Sequence, residues 1–259
     1  MSDDRAELVA FIETLAIEAG AVALEMRDKA IQEAETKEDG SPVTEADRQA
    51  EVMIEAGLAA KFPNIPIVGE ERVSGGTMPD ISGGLFWLVD PIDGTKDFVS
   101  GGPEFTVNIG LIEAWQPVAG VVYAPAMGQC YSGAVDHGAT ARDEDGQSRD
   151  IRVSGRETGP LRVVASRRHD SREAVRSLLD GQPVEEWVSI SSSLKFCLVA
   201  AGQADLYPRL GPTHEWDTAA GDAIVRAAGG SVTTLEGDRF IYGKQPKLLN
   251  GSFIAKAYR

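Results

Sequence analysis

Four carboxylates in this chain stand where apolar segments stop. Glu70 comes two residues after the short run 65–68, Asp90 and Asp93 follow the run 85–89, and Asp217 follows Trp216. A core gains nothing from them, but hard anionic oxygens suit Mg²⁺, which takes one or two carboxylates and leaves its other positions to water and phosphate oxygens. Brought together without cations, such groups repel one another and raise each other's pKa. Gly94 and Thr95 follow Asp93 directly. The glycine lets the backbone approach an anion, and the N–H groups beyond it can donate to one. Each feature also has a plainer reading. A lone acid is a solvated turn residue, Asp217 is the N-cap of a helix starting at Thr218, and Asp-Gly-Thr is a tight turn. Asp47 is open in the same way. Thr44-x-x-Asp47 ahead of an apolar-periodic stretch fits a capping box; the alternative is that Asp47 accepts a proton through a hydroxyl such as that of Thr95.

Further along, Ser191, Ser192, Ser193, Lys195 and Arg209 are polar or cationic positions that can face a second anionic group, or serve as a helix cap and surface cations. Arg167-Arg168-His169 is a weaker candidate of the same kind. Local cations matter because the 259 residues carry 25 Lys and Arg against 40 Asp and Glu, a net charge of −15. That balance opposes binding to nucleic acid or to an anionic membrane surface. With 3 histidines, a histidine-rich zinc site is out of reach and an oxygen-bound Mg²⁺ or Mn²⁺ is expected. Cys130 and Cys197 lack CxxC spacing and read as reduced core thiols of a cytoplasmic protein. Asp3, Asp4, Arg5 and Glu7 precede any apolar stretch, so no secretory signal is read, and the apolar runs fall well short of the ~20 residues of a membrane span.

The elements that must position these groups follow from periodicity. Leu8, Ile12, Leu15, Ala19, Val22 and Met26 form one stripe of an amphipathic helix. A polar loop at 33–42 leads to a helix from Thr44 to about Lys61, stopped by Pro63, and then to a strand at 65–68. Residues 72–84 read as a loop, 85–89 as a buried strand, and 106–112, 118–123 and 129–134 as an antiparallel meander. Residues 138–146 read as turn-like. Gly and Pro in 154–160 mark the expected boundary between an α+β half, 1–155, and an α/β half, 156–259. In the second half strands at 161–165, 187–190 and 204–207 alternate with helices at 171–179, 194–201 and 218–228.

Gly69-Glu70-Glu71, then Asp90-Pro91-Ile92-Asp93-Gly94-Thr95, then Trp216-Asp217-Thr218-Ala219-Ala220-Gly221 resemble, in order and spacing, the three signature blocks of the inositol monophosphatase superfamily of metal-dependent, lithium-sensitive phosphatases. Segments 105–109, 120–125, 191–199 and 206–209 resemble its bacterial bisphosphate nucleotidase branch, which acts in sulfur assimilation. The resemblance implies a layered αβαβα fold and hydrolysis of the 3′-phosphate of adenosine 3′,5′-bisphosphate to AMP and phosphate. Inositol monophosphate or fructose 1,6-bisphosphate is the alternative substrate within the superfamily, and a non-catalytic metal- or nucleotide-binding protein the alternative outside it. Two Mg²⁺ ions are implied, one on Glu70, Asp90 and the carbonyl of Ile92, the other on Asp90, Asp93 and Asp217, with a weaker third helped by Glu70. Glu70, Ile92, Asp93, Gly94, Thr95 and Asp217 would surround the substrate phosphate. Asp47 with Thr95 would orient and deprotonate the attacking water, while Ser192, Lys195 and Arg209 would meet the rest of the nucleotide. The register among Ser191, Ser192 and Ser193 is left open, and Glu104 and Asn108 receive no role. The family contains monomers and homodimers. A cytoplasmic location is expected, with peripheral contact with the inner membrane face left open.

Overall fold

A computed structural model describes residues 2–33, 35–36, 42–166 and 172–258. The chain opens with α1 (Ser2–Glu33), the short pair β1 (Glu35–Thr36) and β2 (Pro42–Val43), and α2 (Glu45–Lys61). It continues through β3 (Ile67–Gly69), α3 (Glu70–Ser74), β4 (Leu85–Asp93), α4 (Thr95–Val99), β5 (Thr106–Glu113), β6 (Gln116–Ala124), β7 (Gln129–Ala134), β8 (Gly138–Arg142) and β9 (Ser148–Ile151). These seven strands, β3 to β9, form one sheet in sequence order, parallel at β3–β4 and antiparallel elsewhere. Then come β10 (Leu161–Ala165), α5 (Arg172–Leu178), β11 (Val184–Ser189), α6 (Leu194–Ala200), β12 (Leu206–Arg209), β13 (Thr213–His214), α7 (Ala219–Ala227), β14 (Ser231–Thr234), β15 (Leu249–Asn250) and β16 (Phe253–Lys256). A second sheet has five strands in the order β11-β10-β12-β16-β14.

Strand alternation sorts the side chains into layers. Trp87, Val89, Val107, Ile109, Leu111 and Val121 pack against Ile12, Leu15, Ala19, Ile54 and Leu58 of α1 and α2. The opposite faces of β4 and β6, carrying Phe86, Leu88 and Val122, meet Phe196, Val199, Ala219, Ala220 and Ile224 of α6 and α7. On the far side of the second sheet, Leu161, Val163 and Leu206 pack on Val175 and Leu179 at α5. The order is therefore helix, sheet, helix, sheet, helix, the αβαβα sandwich that the resemblance implied.

Several elements differ from expectation. Residues 138–146 contain strand β8, hydrogen-bonded to β9 at the edge of the sheet. An antiparallel strand with one buried face alternates, here Gly-Ala-Thr-Ala-Arg with only small alanines turned inward, which hides it from a hydropathy reading. β4 runs on through Pro91 to Asp93, α3 occupies the start of the expected loop 72–84, and β12 extends to Arg209. β13 to β16 were not anticipated at all. Residues 37–41, in the expected loop 33–42, and Arg167-Arg168-His169 lie outside the described residues.

Candidate active site

β3 and β4 are neighbours and parallel, with Gly69 opposite Val89, so Glu70 and Asp90 both come directly after the last β3–β4 pair, at the same end of that ladder. Asp90 pairs with Asn108 and Asp93 with Thr106, so the three steps from Asp90 to Asp93 oppose two steps of β5. That is a β-bulge, and Pro91, which has no N–H for the ladder, lies within it. In a regular strand, residues three apart point to opposite faces. The extra residue brings Asp90 and Asp93 to one face, toward α6 and α7. Asp90 Oδ1 accepts the Ile92 N–H at 3.0 Å, and the Thr95 hydroxyl donates to the Ile92 carbonyl at 3.1 Å. Gly94 has φ of 93°, and a Cβ there would stand 3.0 Å from the Glu104 carbonyl. Only glycine takes this conformation without strain.

Asp47 closes the capping box at α2. The Thr44 N–H donates to its Oδ2 at 2.9 Å, its own N–H donates to Thr44 Oγ1 at 3.3 Å, and the Thr44 hydroxyl also faces the carboxylate. Among the described residues no hydrogen bond joins Asp47 to Thr95. Burial pushes the Asp47 carboxyl up to about 7; the Thr44 bonds oppose the rise, while nearby Glu71 and Glu70 add to it. One turn further along α2, Glu51 is a residue that the sequence reading missed. Its buried carboxylate accepts the N–H groups of Glu71 (2.8 Å) and Arg72 (2.7 Å), seating the α3 turn that carries Glu70. Gly69 leaves room for it, since a Cβ there would sit 2.5 Å from the Glu51 carboxyl carbon. The sequence signal was a lone Glu facing the apolar side of an amphipathic helix.

The second wall of the site comes from 190–195, β12 and the turn before α7. Lys195 is buried, and its Nζ donates to the carbonyls of Ile190 (3.4 Å) and Ser192. Those bonds hold Ser192 at φ of 55°, with its Oγ buried and without a hydrogen-bond partner among the described residues. Glu104 Oε2 accepts the Ser191 N–H at 2.8 Å, a role the sequence reading did not assign. Arg209 is buried, donating to the Pro212 carbonyl at 3.2 Å. All three serines line the cleft, but they differ in their bonds: the Ser191 N–H is tied to Glu104 and the Ser193 hydroxyl to Asp93. Asp217 does not cap α7. Thr218 is the N-cap residue, and Asp217 Oδ2 accepts the His214 N–H at 2.9 Å instead.

Asp93, Gly94, Thr95, Ser192, Lys195, Arg209 and Asp217 all line one cleft of about 240 Å³, with Lys96, Tyr207 and Thr213 among the remaining walls. Burial, and then the carboxylates of Asp93 and Glu70, hold the Asp217 carboxyl well above the usual range, against the His214 N–H and Arg209. Burial likewise raises Asp93; Lys195 and Ser193 oppose this and Glu70 adds to it. Among the described residues no three His, Cys, Asp or Glu side chains are yet grouped closely enough to enclose one cation. The hydrogen bonds above turn one oxygen each of Asp90, Asp93 and Asp217 toward internal donors. The donor chemistry fits a hard divalent cation nonetheless: the candidate ligands are all oxygens, and nearby carboxylates raise both Asp93 and Asp217.

The inositol monophosphatase family profile matches residues 4–258. The 3′(2′),5′-bisphosphate nucleotidase CysQ of Escherichia coli (strain K12) is 44% identical over 223 residues, 86% of this chain and 88% of that protein. The protein of the same name from Salmonella typhimurium is 43% identical over 245 residues, 94% of this chain and 97% of the other. Among solved structures, CysQ from Bacteroides thetaiotaomicron superimposes with a TM-score of 0.79 at 35% identity, covering 96% of each chain. An inositol monophosphatase from Anabaena does so at 0.77 and 26% identity, covering 98% of this chain and 91% of that one. With the family profile running almost from end to end and relatives at 43–44% identity over most of its length, this chain belongs to the inositol monophosphatase family.

Proposed function

We propose that this protein is a Mg²⁺-dependent 3′(2′),5′-bisphosphate nucleotidase that hydrolyses the 3′-phosphate of adenosine 3′,5′-bisphosphate to AMP and phosphate. The observation that carries the reading is one cleft lined by both acids, Asp93 and Asp217, and cations, Lys195 and Arg209. A substrate with two phosphates has a use for both kinds of group, and relatives 43–44% identical over most of the chain bear that activity in their names. Glu70, Asp90, Asp93, Asp217 and the Ile92 carbonyl would hold two Mg²⁺ ions, and Glu70 a weaker third. When bound, Mg²⁺ supplies positive charge to the phosphoryl oxygens and makes a water more acidic.

The chain's own residues do the rest. Gly94 and Thr95 present backbone and hydroxyl to the scissile phosphate. Thr95 and Asp47 take the proton of the attacking water, a role suited to a carboxyl lifted to about 7. Ser192, whose buried hydroxyl has no hydrogen-bond partner among the described residues, faces the nucleotide. Arg209 meets the second phosphate, and Lys195 supports it while holding the loop 190–193 in place. No covalent phosphoenzyme is required, because positioning and electrostatics carry phosphoryl transfer. Phosphate release from adenosine 3′,5′-bisphosphate, inositol 1-phosphate and fructose 1,6-bisphosphate, compared with Mg²⁺ present, tests the reading. A clear preference for the bisphosphate nucleotide is expected; a preference for either of the others removes it.

A further inference from the structure

Ser193 occupies the N-cap position of α6 but makes no side-chain capping bond there. Its hydroxyl points the other way. It lies 2.9 Å from Asp93 Oδ2 and 2.8 Å from the backbone carbonyl of Asp217. A serine has one proton to donate, so this is a shared, three-centre bond, and the oxygen keeps its capacity to accept. Asn108 Nδ2 fills that capacity at 2.9 Å. Both residues are sealed from water, Ser193 at 2% exposure and Asn108 at 0%. The four groups come from four places: the end of β4, the middle of β5, the start of α6 and the turn before α7.

We infer that Ser193, seated by Asn108, is a positioning residue that sets Asp93 and Asp217 at a fixed separation, so that they form one cation-binding pair. The inference rests on the proposal that both aspartates ligate Mg²⁺. Two like-charged carboxylates move apart when left to themselves. A neutral hydroxyl that donates to one and to the backbone of the other ties their segments together beforehand, lowering the reorganisation that binding a cation demands. Groups that orient metal ligands in this way typically change metal affinity by about 10- to 100-fold when removed.

The test is calorimetric titration of MgCl₂ into the full chain without substrate, for the wild type, Ser193→Ala, Asn108→Leu and Asp93→Asn. Circular dichroism and metal-free melting temperature serve as folding controls. Ser193→Ala is expected to raise the Mg²⁺ dissociation constant about tenfold, and Asn108→Leu, which removes the donor at nearly constant volume, to move it the same way by less. A purely structural role would lower the melting temperature and leave the dissociation constant alone. If both variants bind Mg²⁺ like the wild type while Asp93→Asn does not, the positioning role is overturned and the metal assignment stands. If Asp93→Asn also binds like the wild type, the metal assignment fails and the inference falls with it. Should Ser193→Ala not fold, Asn108→Leu decides on the same terms.

Discussion

At Asp47 one carboxylate is committed to a helix cap and is also a candidate proton acceptor, and mutation separates the two. Thr44→Ala removes the cap's hydroxyl, which costs about 1 kcal/mol, a melting temperature lower by roughly 2–4 °C, with turnover within about threefold of wild type. Asp47→Asn keeps an oxygen for the Thr44 N–H but loses the basic group, so kcat should fall by about 10² or more. Near-normal kcat in Asp47→Asn would leave the residue as a cap alone. Asp93→Asn is the cleaner test of the cleft's acids. It removes a charge at almost constant volume, so the proposed mechanism expects turnover to vanish while circular dichroism stays native. Because burial raises the Asp93 carboxyl, and the Asp93 carboxylate in turn raises Asp217, the same change should leave the metal-free melting temperature equal or higher. Measurable wild-type turnover in Asp93→Asn removes it from the mechanism.

Between elements, what places Asp217 is how deeply α7 sits in the first sheet. A Cβ on Gly120 of β6 would stand 2.6 Å from the Ala220 carbonyl oxygen, and one on Gly110 of β5 2.9 Å from the Ala219 Cβ. The glycines make the seat, and the small residues Ala219 and Ala220 let the helix enter it. Gly120→Ala should therefore lift the start of α7, costing about 1–3 kcal/mol by overpacking. It should weaken Mg²⁺-dependent activity well beyond the stability loss, while Gly251→Ala, where a Cβ meets open space, does neither; equal activity in the two variants would show that the seat does not control Asp217. The small-residue pattern after Trp216 was visible in the sequence, and so were the acids at strand ends, because both interrupt a local periodicity. What was not visible depends on pairing. The bulge that turns Asp90 and Asp93 to one face, the assignment of Ser193 rather than Ser192 to the aspartates, and the support of Glu70 by Glu51 all arise from residues far apart in the chain. Strands such as β8 and the edge strand β9 lack an apolar signature for the same reason: their partners, not their composition, make them strands.

For the whole molecule, buried acids make stability depend on pH in a direction opposite to that of an ordinary salt-bridged protein. Burial pushes the carboxyls of Asp47 and Glu51 up to about 7, from 3.8 and 4.5. Between about pH 4.5 and 7 the native state therefore holds protons that the unfolded chain has released. Stability falls wherever the native state binds more protons than the unfolded one. These contributions are fully present below the unfolded values and are lost as pH rises through the folded ones. Asp93 and Asp217, shifted the same way, add to the trend, and the net charge of −15 at pH 7 acts with it through self-repulsion. In the presence of a chelator the melting temperature should thus be lower at pH 8 than at pH 5.5, by at least about 4 °C, the scale of one to two kcal/mol in a chain of this size. Glu51→Gln should flatten the slope, because an amide there has no proton to lose. Excess Mg²⁺ at pH 8 should restore the difference, since a ligand that binds only the native state stabilises it in proportion to the logarithm of its concentration over Kd. A chelated protein that melts higher at pH 8 than at pH 5.5 would contradict the burial argument for Asp47 and Glu51. A fall with pH that Mg²⁺ does not reverse would instead contradict the gathering of Asp93 and Asp217 around a cation.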